Sequence, residues 1–335
     1  GVQTCALPIY PLPGATVTVL DHPEFGQTAS RANGMFDLVV NGGGNLTINY
    51  SKSSYLSAQR RVDVPGQDWV WAEDVALIPL DAVVTTVDLT QASEEFVVAQ
   101  GSVIDDGRGS RQSTLLFPQG IEAELVMPDG SKQAINTLNV RATEYSVGPN
   151  GQSAMPAELP LGIGYTYCVE LSADEVLPAG AKTVSFSQPV INYLENFLGF
   201  PAGAEIPVYF YDREQGAWLP DQNGNNPYYE DLPRAVVIQI LGVTEGLADL
   251  DASGNGYANN ADYLLENFGI TDQERQRIAS MYSVGQSLWR VPVRHFSTVD
   301  YNWPANYGSD QYPSTSNVTG EQTCGPSCQT TGYSV

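Results

Sequence analysis

The chain has 335 residues, enough for two or three domains with a substantial buried core. Its 38 Asp and Glu against 15 Lys and Arg leave a formal charge of −23, and the cations, 12 Arg and 3 Lys, form no basic cluster, which disfavours nucleic acid and anionic membranes as partners. The longest apolar run, 235–243, is far short of the ~20 residues of a spanning helix, so no membrane insertion is expected.

Residues 1–9 resemble the in-frame translation of a sequencing-adapter oligonucleotide and are set aside from fold reasoning, Cys5 with them. From Pro11 onward, period-two alternation predicts short strands at 15–20, 35–40, 46–50, 60–64 and 75–80. Asn33-Gly34 supplies a hairpin turn and Gly42-Gly43-Gly44 a break, so residues 10–80 read as a small β-sandwich. Strand patterns continue at 96–104, 113–117, 123–126, 165–171, 183–186, 206–211 and 235–241, with turns at Pro128-Asp129-Gly130 and 212–216 and a surface connection at 149–160. Cys168 falls in one of these strands, where a buried thiol is expected. Two helices are predicted next: 260–268, ended by Gly269, and a second from the capping-box spacing Thr271 to Glu274 through about Met281. Strand-like aromatic stretches follow at 289–296 and 301–304, and 305–335 reads as flexible linker. Within it Cys324 and Cys328 fit neither a redox nor a zinc spacing; a local disulfide and partners beyond Val335 both stay open. The fold class is mainly β: tandem β-sandwich domains, Ig-like or transthyretin-like, with a short calcium-loop and two-helix insertion near the C-terminus.

The sharpest chemical motif starts at Asp251. Asp251, Ser253, Asn255, Asn259 and Asp262 occupy loop positions 1, 3, 5, 9 and 12, Gly256 stands at position 6, the Tyr257 carbonyl at position 7 and Asp249 just upstream. A hard cation takes six to eight oxygens, and a loop bent sharply at its centre wraps them around one point, so calcium is the expected ion, held weakly and for structure. The competing reading is an Asx-rich turn that caps the following helix. Catalytic signals are scarce. The two histidines, His22 and His295, belong to no metalloprotease, nucleophile-elbow or phosphate-loop pattern and read as a turn residue and a structural residue, so no enzyme is expected. The acidic pairs Glu94-Glu95, Asp105-Asp106 and Glu230-Asp231 read as solvated turns, and Asn45, Asn49 and Asn317 head glycosylation sequons.

Pro11 to Val19, Ser30 to Leu38, Leu46 to Tyr50 and Tyr55-Leu56 resemble the carboxypeptidase-regulatory-like, or transthyretin-related, domain. That family opens with one further strand, whose place here is taken by residues 1–9. Tyr193 to Pro201, Tyr211 to Pro220, Gly246 to Asp251, Leu288 to Phe296 and Asn302 to Pro304 resemble the region upstream of the repeats in bacterial YD-repeat (Rhs) proteins, relatives of the teneurins. The resemblance implies this order: residues 10–80, a carboxypeptidase-regulatory-like sandwich lacking its first strand; 81–304, a fibronectin-plug-like region that includes the 249–282 calcium-loop and helical segment. It implies a non-catalytic segment, secreted or on a bacterial cell surface. Its partner would be a YD-repeat shell of the same polypeptide that encloses a toxin or displays an adhesive surface. Plug contacts implied are Tyr282, Leu288, Trp289, Val291, Val293, Phe296, Tyr301 and Trp303, although the same side chains could equally form the domain's own core. The alternative is a free-standing, calcium-stiffened adhesion or carbohydrate-binding module that meets a cell-surface protein or glycan.

Overall fold

The computed structural model describes residues 10–90, 96–146, 151–158, 166–220 and 233–301. The expectations for residues 1–9, Glu94 and Glu95, Glu230 and Asp231, Trp303, Asn317, Cys324, Cys328 and the linker 305–335 lie outside the described residues.

Alternating Thr and Val in the strand Thr16–Val19 give it one polar and one apolar face. It lies inside a four-stranded antiparallel sheet, between Gln27–Ala29 and Gly44–Ser51, with Ala58–Val64 completing the order. Val17, Val19, Leu46, Ile48, Tyr50 and Val64 make a small core under Phe36, Leu38, Val40, Val75 and Leu77. The covering residues come from the stretches 35–40 and 75–80, which are not strands, contrary to the sequence expectation: 35–40 joins no ladder among the described residues, and the second stretch touches one only through the Tyr55–Pro79 bridge. Alternation reports that one side of a segment is buried; pairing also needs a neighbour about 4.8 Å away.

The remainder is built on two larger sheets. One has six strands in the order Ala217–Pro220, Tyr209–Asp212, Thr298–Asp300, Cys168–Ala173, Thr137–Glu144, Thr85–Asp88. The other has eight, its spine running Lys132–Ile135, Ala123–Val126, Thr183–Glu195, Ser287–His295, Val236–Thr244, Leu247–Asp251, with Phe96–Gln100 and Thr114–Pro118 paired alongside. They face each other across one core that takes Val87, Leu138, Val140 and Val169 from the first and Leu115, Phe117, Val184, Val237 and Trp289 from the second. The long strand Thr183–Glu195 runs well past the predicted 183–186. Its register against Ser287–His295 shifts between Ser185 and Val190, around Pro189, which has no N–H to give to a ladder.

The second face of the eight-stranded sheet is buried as well. Helices Ala261–Phe268 and Asp272–Met281 lay Leu264, Phe268 and Ile278 on Leu116, Tyr193, Val236, Ile238, Ile240 and Leu288. Both helices start as predicted: Asn260 Oδ1 accepts the Tyr263 N–H at 2.8 Å and Thr271 Oγ1 the Glu274 N–H at 3.2 Å. Gly269, at φ 66°, closes the first in the left-handed conformation. Glu274 does not return the bond as a capping box requires; its carboxylate turns into the protein.

Candidate functional site

The loop after the strand Leu247–Asp251 folds around the Asp251 carboxylate. Asp251 Oδ1 accepts the N–H groups of Ser253 at 3.0 Å and Gly254 at 2.7 Å and the Ser253 hydroxyl at 3.1 Å, while Oδ2 accepts the Gly256 N–H at 2.8 Å. Burial pushes this carboxyl up, but the donors outweigh it and hold its pKa below the ordinary aspartate value. Asn259 ties the loop from the other side: its Oδ1 accepts the Ala252 N–H at 2.7 Å and its Nδ2 donates to Ser253 Oγ at 3.0 Å. The loop seats on the turn at 201–204, where glycine is required twice: a Cβ on Gly203 would lie 2.5 Å from the Ser253 carbonyl carbon, and one on Gly254 2.2 Å from the Ala202 oxygen.

Of the seven residues expected to hold calcium, the structure gathers Asp251, Ser253 and Asn259 into one network. Asn255 accepts the Tyr257 N–H at 2.9 Å, and the Tyr257 side chain stands exposed. Asp262 is exposed in the first turn of its helix. Asp249 turns away: its Oδ2 accepts the Thr244 hydroxyl at 2.7 Å, and Arg275 approaches its Oδ1 at 3.8 Å. Among the described residues, no group of three or more His, Cys, Asp or Glu is placed to hold a metal ion.

The implied plug contacts among the described residues are already covered by this chain. Leu288, Trp289, Val291, Val293, Phe296 and Tyr301 are buried, and Tyr282 is half-buried with its ring 6.2 Å from Tyr193. The described side chains of this stretch therefore pack in the domain's own core, one of the two readings open to it. The cause is topology. Ser287–His295 lies inside a sheet buried on both faces, so Trp289, Val291 and Val293 enter the sandwich core while Leu288 meets the helices. Arg290, on the helix side, is compensated: its guanidinium donates to Glu274 Oε1 at 2.7 Å, Glu274 Oε2 at 2.9 Å and the Phe268 carbonyl at 2.8 Å, and the Tyr193 hydroxyl donates to Glu274. Burial works against charge on Arg290, but Glu274 and Tyr193 outweigh it and hold the guanidinium pKa above its ordinary value.

Polar contacts join the small sheet to the larger body. Arg60 donates to the carbonyls of Gln59 at 2.7 Å, Ser153 at 3.0 Å and Met155 at 3.0 Å. Gln59 Nε2 donates to Asn49 Oδ1 at 2.6 Å and to the Arg213 carbonyl at 3.0 Å, and the Tyr211 hydroxyl donates to Gln59 Oε1. Leu56, Tyr145, Met155 and Cys168 fill the apolar centre of this junction. Cys168 is the buried thiol expected, its pKa pushed up by burial and then by Asp300 and Glu170. The hairpin that carries Tyr211 turns as predicted, Asp212 Oδ1 accepting the Glu214 and Gln215 N–H groups at 2.8 and 3.0 Å.

Neither histidine is placed as a base. His22 stacks on Phe25 and bonds Glu24 at 2.9 Å; His295 is half-buried at its strand end, 4.8 Å from the Phe210 ring, and burial lowers its pKa. Asp106, read from sequence as a solvated turn, instead chelates Arg111 through both carboxylate oxygens at 3.0 Å. Sequence reasoning also passed over residues 69–71, where Trp69 and Trp71 are 88% and 70% exposed. The available signal was two tryptophans in a stretch with neither strand nor helix pattern.

The Teneurin TTR-like domain family matches residues 4–77. Similar curated proteins are Teneurin-1 of Mus musculus, 32% identical over 146 residues, and Teneurin-3 of Mus musculus, 28% identical over 138; the aligned parts are 43% and 40% of this chain and 5% of each relative. Teneurin-1 of Gallus gallus is 31% identical over 146 residues. The likeness is thus to teneurins and their TTR-like domain, at modest identity, and the chain spans about one-twentieth of the length of these relatives.

Proposed function

We propose that this chain is a non-catalytic structural segment of a bacterial YD-repeat (Rhs) protein, secreted or held at the cell surface. It would plug and support a repeat shell of the same polypeptide that encloses a toxin or displays an adhesive surface. The TTR-like match at 4–77, followed by a sandwich fixed to it through Gln59, Arg60 and Tyr211, carries this reading, because a support must transmit position without hinging. With Trp289 and its neighbours committed to the core, closure would be made by the outer surface of the body. No described helix is long and apolar enough to cross a membrane. The test is to sequence and express the longer polypeptide through residue 335 and image it: tyrosine-aspartate repeats closing onto this segment are expected, and a stop directly after it would overturn the proposal.

Calcium belongs to the same proposal as a stiffening ion. Asp251 Oδ2 keeps a lone pair beyond its bond to Gly256, with Ser253, Asn255 and the Tyr257 carbonyl as neutral oxygens of the same loop. At millimolar calcium and a ~10⁻⁴ M site the gain is roughly 2 kcal/mol. A melting temperature unchanged between calcium and chelator removes the ion from the proposal. A second reading, the adhesion or carbohydrate-binding module, is favoured by the exposure of Trp69 and Trp71 and predicts that neutral oligosaccharides quench their fluorescence.

A further inference from the structure

Trp69, Val70 and Trp71 are 88%, 44% and 70% exposed in the segment that follows the strand Ala58–Val64. The other described tryptophans are engaged: Trp218 donates its indole N–H to the Glu158 carbonyl at 3.1 Å, and Trp289 donates to Asn196 Oδ1 at 2.8 Å within the core. At ~150–250 Å² per covered aromatic side chain, the two exposed rings offer roughly 300 Å² of apolar surface. Four exposed carboxylates flank them in sequence, Asp63, Asp68, Glu73 and Asp74, and none forms an ion pair among the described residues. Asp68 accepts the Trp69 N–H at 2.8 Å.

The charges and the area narrow the occupant. A second copy would bring the same four carboxylates and another −23, setting like charges face to face across a symmetric contact. An anionic membrane is repelled for the same reason. A free protein partner needs about 800 Å² on each side for a stable contact, more than this strip supplies. A tethered domain does not, because a linker holds it at an effective concentration of about millimolar.

We propose that Trp69, Val70 and Trp71 form the docking strip on which another domain of the same longer polypeptide seats, a domain that presents an apolar pocket rimmed by Lys or Arg. The proposal rests on the structural-segment reading above. It also supplies that reading with the contact surface which the buried 288–301 stretch does not provide.

Hydroxyl-radical footprinting of the 335-residue chain and of the longer polypeptide tests it, with buried Trp289 as internal reference. Oxidation of Trp69 and Trp71 is expected to fall at least ~5-fold in the longer polypeptide and to recover in ~1 M salt, which screens a charged rim. The Trp69→Ser, Trp71→Ser double variant should leave the melting temperature of the 335-residue chain within about 1 °C, as exposed side chains do, and restore protease cleavage of the segment in the longer polypeptide. Equal oxidation of both tryptophans in the two proteins overturns the proposal. So does protection of the 335-residue chain by neutral oligosaccharides alone, which would assign the strip to a glycan. A repeat shell seen by electron microscopy with both rings still oxidised defeats the docking strip alone; protected rings without a shell keep the strip and defeat the shell.

Discussion

The two halves of this molecule answer the same problem, an apolar sheet face that must be covered, in different ways. In residues 10–80 a four-stranded sheet is covered by chain that makes no ladder of its own, over a core of six buried side chains. In the larger body every covering layer is itself regular: a six-stranded sheet on one side, two capped helices on the other. The second solution leaves few backbone groups to chance and tolerates a charged pair at its centre. The first relies on side-chain contacts, a few isolated backbone bonds such as Leu56 N–H to the Ile78 carbonyl and Leu80 N–H to the Ser54 carbonyl, and the junction at Gln59 and Arg60. Regular layers bring cooperativity; irregular covers make a region dependent on its neighbour.

Removing Trp289 should hurt most. Trp289→Ala opens the shared core and is expected to cost about 4 kcal/mol, seen as a lowered urea midpoint for the larger body. Glu274→Ala strands the Arg290 charge in the interior, and about 3 kcal/mol should be lost, whereas replacing both residues by leucine and methionine should recover most of it. A double replacement as damaging as the single one would show that the pair is needed for more than mutual neutralisation. Arg60→Ala removes the bonds to the Ser153 and Met155 carbonyls that cross the junction; about 2 kcal/mol is expected, with residues 10–80 melting in a separate, earlier calorimetric transition. A single transition would mean that the small sheet stands without its neighbour.

Acid should act chiefly on the larger body. Hydrogen bonds from Arg111 hold the Asp106 pKa at about 2, against ~3.9 in the unfolded chain, so its stabilisation, roughly 2 kcal/mol, is complete above pH ~4 and lost as pH falls towards 2. Asp106→Asn should flatten that part of the stability curve. Burial lowers the His295 pKa, so the unfolded chain takes the proton first and a shallower loss begins below pH ~6.5. His295→Phe should abolish it, and an unchanged slope between pH 7 and 5 would show that the ring is not responsible.

Much of the fold was legible because its causes are local. Asn260, Thr271 and Gly269 mark helix ends by their own side chains or by the lack of one, and the turn at Asp212 is an Asx turn that any reader of the sequence can place. Strand 132–135 was missed because Lys132 and Gln133 break the apolar pattern at a sheet edge, whereas 137–144 carries the period-two signal of Leu138, Val140 and Ala142 and was legible but passed over. The Asp251 loop was found by spacing, but spacing could not tell that Asp249 would turn to Thr244 and Arg275. The apolar run 288–296 left a contact surface and the domain's own core equally open because a strand buried on both faces loses its alternation; only the helices behind it supply the reason.

The strands made last sit in the middle. Ser287–His295 lies between Thr183–Glu195 and Val236–Thr244, and Thr298–Asp300 between Cys168–Ala173 and Tyr209–Asp212. A ribosome emitting ~5–20 residues per second needs roughly 10–40 s to travel from the first strand of the six-stranded sheet to Thr298–Asp300. Throughout that interval both large sheets have open edges at their centres, while the small sheet, complete by Val64, is free to form. Synthesis of this protein is therefore a race in which the nascent body must be kept from pairing with its neighbours until its final fifteen described residues arrive as a wedge between strands already waiting.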